Sequence, residues 1–105
     1  MNPDQIYRRA IEVFGPDRQV LKTLEEVPEY AAAISRYFAN DSENLSQAGL
    51  RAQLIGEMAD VEITRQQVML MAGISPEELN AEIARKLARL ERLIRERTDS
   101  GTEPK

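Results

Sequence analysis

The chain has 105 residues, 30% of them charged, with 14 Lys and Arg against 18 Asp and Glu and a formal net charge of −4. Cys and His are both absent, which removes disulfides, thiolate nucleophiles, the commonest zinc ligand and every mechanism built on an imidazole base. The acidic balance gives no support to general nucleic-acid binding, and no apolar run approaches the roughly 18 residues of a membrane span.

Taken in order, the chain reads as helices throughout. The start, Met1 to Gln5, is polar and acidic, without the pattern of a secretory leader. A first short helix is predicted over 3–14, stopped by Gly15-Pro16. Pro16-Asp17 opens a second, running to about Phe38. Its apolar positions Val20, Leu24, Val27, Ala31, Ile34 and Phe38 step by three and four, which predicts one packing seam. Asn40-Asp41-Ser42-Glu43-Asn44 reads as a loop of turn-forming and capping residues. A third helix starts near Ser46 or Gly49 and runs to Ala72, with Gly73 as its C-cap. Ser75-Pro76-Glu77-Glu78 starts a fourth, with N-cap Ser, Pro at the first helical position and Glu at the third. That helix carries Leu79, Ile83, Leu87, Leu90 and Ile94 on one face. From Thr98 onward a disordered tail is expected, so the domain expected is 1–97 and the tail 98–105.

The third helix speaks to assembly. One stripe holds Leu50, Leu54, Met58, Val61, Val68 and Ala72, and another holds Ile55, Ala59, Ile63 and Leu70. A helix apolar on two sides has to be covered on two sides. The economical expectation is an all-α, four-helix-type core completed by a second copy. Glu57, Asp60 and Thr64 fall in a polar strip beside those stripes.

Two acidic clusters carry the chemistry. Glu25-Glu26-Val27-Pro28-Glu29 lies in the second helix and Glu57-Met58-Ala59-Asp60 in the third. In each, carboxylates three positions apart project from nearly one side of the helix. Convergent carboxylates repel one another unless a cation sits between them. Hard oxygen ligands of this kind suit Mg²⁺ or Mn²⁺, ions that commonly bind a substrate's phosphates. The competing reading of Glu25, Glu26 and Glu29 is a solvated helix face, since Glu29 lies roughly opposite the Val20–Phe38 seam. Lys22 is either a salt-bridge partner of Glu26, one turn away, or a phosphate ligand. Gln19 and Thr23 lie on the approach to Glu26, placed to touch a base or sugar. The basic residues Arg85, Lys86, Arg89, Arg92 and Arg95 are either surface charge favoured near a helix C-terminus or a phosphate clamp.

The run Lys22-Thr23-Leu24-Glu25-Glu26-Val27-Pro28-Glu29, followed after about 27 residues by Glu57-Met58-Ala59-Asp60-Val61, resembles the signature of the MazG-like all-α nucleoside triphosphate pyrophosphohydrolases. The resemblance runs from about Ile11 to Ile94 and includes Met71-Ala72-Gly73-Ile74 and Lys86-Leu87-Ala88-Arg89. It implies a MazG-like helical bundle in a homo-dimer or tetramer, and hydrolysis of an NTP or dNTP to the NMP and pyrophosphate with Mg²⁺, or Mn²⁺, as cofactor. Glu26, Glu29, Glu57 and Asp60 match the metal-ligand positions, and Glu25 the neighbouring acid that orients the attacking water. Lys86 and Arg89 fall where the family places phosphate-binding basic residues. Two positions depart from the pattern. Pro28 interrupts the first motif, removing a backbone hydrogen bond and predicting a bend. Gly56 stands where relatives carry another acid, either to permit close packing or phosphate approach or as a tolerated residue. A cytoplasmic enzyme is the expectation. The alternative is a non-catalytic helical dimerisation or adaptor protein, or a degenerate member of the family.

Overall fold

The computed structural model describes residues 1–39 and 46–99, and among these residues every regular element is an α-helix. The elements are α1 (Pro3–Phe14), α2 (Pro16–Ala39), α3 (Gln47–Ala72) and α4 (Pro76–Asp99). The all-α class therefore holds, and the helix ends show why. Asn2 and Gln5 form a reciprocal capping box at the start of α1, each side chain accepting from the other's backbone N–H at 2.9 Å. The Ser46 hydroxyl accepts from the Gly49 N–H at 3.1 Å, and Ser75 pairs in the same reciprocal way with Glu78. Gly73 closes α3 with φ of 68°, a left-handed conformation that costs glycine nothing. The predicted loop Asn40–Asn44 and residues 100–105 of the predicted tail lie outside the described residues. Thr98 and Asp99 belong to α4 rather than to a tail, because the Thr98 hydroxyl donates to the Ile94 carbonyl at 2.6 Å.

The chain divides into two compact units, Met1–Gly73 and Ile74–Lys105, so the boundary falls inside the span expected to form one domain. In the first unit α2 packs along α3, and the short α1 touches both. Leu50 and Ala33 are almost fully buried and Met69 nearly so. The second unit's one described helix, α4, has no buried residue, and its stripe Ile83, Leu87, Leu90 and Ile94 is exposed.

The covered face of α2 is not the predicted seam. Val20, Leu24, Val27 and Phe38 are all exposed, Phe38 to 77%. The residues turned inward are instead Gln19, Thr23, Glu26, Tyr30, Ala33 and Tyr37, each buried or half-buried. This second set also steps by four and three, rotated about 100° from the first. Its polar members disguised it from a reading that counts apolar residues. In α3 the first stripe holds at Leu50, Leu54, Val61 and Val68, while Met58 and Ala72 face outward. Of the second stripe Ile55, Ala59 and Ile63 are exposed, and Leu70 is half-buried in a hollow it shares with Ile11 of α1. Gly56 is exposed, and a Cβ built there meets nothing within 4 Å. Close packing is thus not its role within the chain. Pro28 is accommodated inside one continuous α2, on an exposed position.

Candidate metal centre

The face that α2 presents to α3 carries a glutamate at its middle. Glu26 is 96% buried by its 4% exposure, held there because positions 19, 23, 26, 30 and 33 follow the helical repeat of the packing face. Across from it α3 offers Glu57, half-buried, and Asp60, exposed. One carboxylate oxygen from each of Glu26, Glu57 and Asp60 lies within 4.8 Å of the other two. Glu26 Oε2 and Glu57 Oε2 are both buried and have no hydrogen-bond partner among the described residues. A buried carboxylate oxygen without a partner is costly. Two acids that each carry such an oxygen, brought together with a third, leave a place suited to a positive charge.

The electrostatics agree. The Glu57 carboxyl titrates above the ordinary glutamate range, first because it is desolvated, then because the charges of Glu29, Glu26 and Asp60 oppose its ionisation. Arg36 works the other way, favouring the ionised form. Its guanidinium is anchored by donating to Gln53 Oε1 at 2.9 Å. Among the described residues the one cation paired with Glu26 is Lys22, whose Nζ stands 3.0 Å from Glu26 Oε1. Glu26 raises the Lys22 ammonium pKa by hydrogen bonding and by charge, and Glu25 and Asp60 add to it. Lys22 remains more than half exposed, so it caps one oxygen from the outside and leaves Oε2 free.

The predicted site residues thus separate into groups. Glu26, Glu57 and Asp60 come together. Glu29 is exposed and outside that 4.8 Å cluster, yet among the charges acting on Glu57 its effect is the largest. It sits about 60° round the helix from Glu26, on the flank of the packing face away from Val20. Glu25 is exposed and lines an open groove between α1 and α2 together with Gln19 and Lys22. Lys86 and Arg89 belong to the second unit, where Lys86 Nζ stands 3.8 Å from Glu82 of its own helix.

Beside the acids is a cavity of about 130 Å³ lined by Gln19, Lys22, Glu26, Asp60, Thr64 and Gln67. The Thr64 hydroxyl is spent on its own helix, donating to the Asp60 and Val61 carbonyls. Gln67, 4% exposed, was not anticipated from sequence. The available signal was its position seven residues after Asp60, two turns along the face that carries the acids. No family model, no curated protein and no solved structure matches this chain.

Proposed function

We propose that the chain is a divalent-cation-dependent nucleoside triphosphate pyrophosphohydrolase, releasing the NMP and pyrophosphate, as its resemblance to the MazG-like enzymes implies. One observation carries the reading: carboxylate oxygens of Glu26, Glu57 and Asp60 lie within 4.8 Å of one another, and Glu26 and Glu57 each keep a buried oxygen with no partner among the described residues. Oxygen donors on two rigid helices, with neither sulfur nor imidazole available, suit Mg²⁺ or Mn²⁺. Glu26, Glu57 and Asp60 would hold the ion, and Glu29, whose charge acts on Glu57, is the proposed further ligand through water. When bound, such an ion neutralises phosphate charge and makes a water more acidic, which is why a chain without histidine can run this chemistry. Glu25, at the edge of the groove, is the proposed proton acceptor, and Lys22 the cation that turns from Glu26 to a phosphate. Lys86 and Arg89 are proposed phosphate ligands on the resemblance alone.

The protein is further proposed to be cytoplasmic and to act as a homo-dimer or tetramer. Support for assembly comes from Val20, Leu24, Val27, Phe38, Ile55 and Ile63, apolar positions on two helices that are exposed among the described residues. The same surfaces favour the second reading, a non-catalytic helical adaptor whose acids are incidental. Incubating the protein with canonical and modified NTPs plus Mg²⁺ or Mn²⁺ and resolving the products separates the two. Formation of NMP and pyrophosphate, lost in Glu57→Ala, is expected. No product from any nucleotide favours the adaptor. Light scattering at micromolar concentration tests assembly, and a stable monomer contradicts it.

A further inference from the structure

The cavity beside the acids is too small for a whole nucleotide. At about 130 Å³ it holds a few waters' worth of volume, at about 30 Å³ each, enough for an ion and the phosphate oxygens around it. Whatever is attached to those phosphates has to lie elsewhere. Gln19 and Lys22 line this cavity and also line the open groove of about 560 Å³ between α1 and α2. That volume falls in the range of small-molecule sites, about 300–1,000 Å³.

We propose that this α1/α2 groove is the seat of the nucleobase, with the phosphates turned toward Glu26, Glu57 and Asp60; the inference rests on the nucleotide reading above. The groove's chemistry selects the base end of the ligand. Phe14 and Leu21 give it an apolar floor, both more than half exposed and so open to a partner. The Arg18 guanidinium lies over the Phe14 ring, 5.6 Å from its centroid. A ring and a guanidinium are the two flat surfaces on which bases stack without regard to sequence. Gln19 joins the two spaces. Its residue is 8% exposed, and its side-chain amide makes no hydrogen bond to any described residue. An amide offers one acceptor and two donors, the complement a base edge or a sugar hydroxyl needs. Lys22, at the same junction, supplies the positive charge where base and phosphates meet.

The test compares a nucleotide with its phosphates alone. Binding of the four α,β-imido dNTPs, which are not cleaved between the α and β phosphorus atoms, and of inorganic tripolyphosphate is measured by calorimetry with Mg²⁺ present. The native protein is expected to bind at least one imido nucleotide more tightly than tripolyphosphate. Phe14→Ala, at an exposed position that leaves the core untouched, is expected to weaken that nucleotide by about 5- to 150-fold, the usual effect of removing a stacking ring. Affinity for tripolyphosphate and for Mn²⁺ should stay unchanged, and Phe14→Tyr should restore nucleotide binding. Equal affinity of nucleotide and tripolyphosphate in the native protein, or nucleotide affinity untouched by Phe14→Ala, overturns the groove assignment while leaving the phosphate site standing. Failure of both ligands to bind overturns the groove and the nucleotide reading together.

Discussion

Replacing Glu26 by Gln tests the metal centre at its most buried point. Gln keeps the volume of the 96%-buried side chain but removes one of three converging charges. In metal-free protein two effects oppose. The Lys22 pair is lost, but Lys22 is more than half exposed, so solvent screens its side of the pair. Repulsion with Glu57 and Asp60 is relieved, so the metal-free midpoint should stay level or rise. The response to metal should collapse. A cation at a hundred times its Kd stabilises the folded state by about 2.7 kcal/mol. For the unit Met1–Gly73, an unfolding entropy of about 2.1 cal/mol/K per residue turns this into a rise of about 18 °C. Losing even a group that only holds a ligand in place by hydrogen bonding weakens metal sites by about 10- to 100-fold. A hundredfold loss at the same concentration leaves about 0.4 kcal/mol, or about 3 °C. Thermal unfolding followed by circular dichroism, with and without Mn²⁺, reads both numbers. A native midpoint indifferent to Mn²⁺ and Mg²⁺, or an undiminished rise in Glu26→Gln, would refute the reasoning.

Because the folded-state pKa of Glu57 is raised, ionising it opposes folding: its contribution to metal-free stability should be fully present where Glu57 is protonated in both states and be lost as pH rises through its folded pKa, and Glu57→Gln should remove that pH-dependent part from a pH series of melting curves. Added Mn²⁺ should stabilise more as pH rises across the same window, since it binds the ionised acids. Gly56→Ala should stabilise the protein by about 0.5–1 kcal/mol in denaturant titration, as the added methyl meets open space; destabilisation would mean that another copy packs against that turn. Leu50→Ala should cost about 2–5 kcal/mol, because Leu50 is the one large side chain that is fully enclosed among the described residues. Glu29→Ala should weaken metal binding less than Asp60→Ala in a Mn²⁺ titration, as Glu29 acts on Glu57 from outside the cluster; equal losses would make it a direct ligand.

Local chemistry was legible without coordinates. Ser46, Gly73 and the Ser75-Pro76-Glu77-Glu78 start mark helix ends through interactions within a few residues, so the boundaries of α1, α3 and the start of α4 could be read directly. The two acid clusters were legible for the same reason, since i,i+3 spacing fixes a common side of a helix before any packing occurs. Which side of α2 meets α3 was not legible. The seam Val20–Phe38 and the seam Gln19–Tyr37 repeat with the same period, and the apolar count favours the first. Only the tertiary structure decides for the second, placing Gln19, Thr23 and Glu26 inward. The physical reason is that burial is a property of pairs of surfaces: α3 offers Glu57, Asp60, Thr64 and Gln67 along its own inner edge, and a polar strip is matched by a polar strip. The same limit explains Glu29: its position along α2 follows from the sequence, but its distance from the acids of α3 depends on how the two helices meet, which no local spacing encodes.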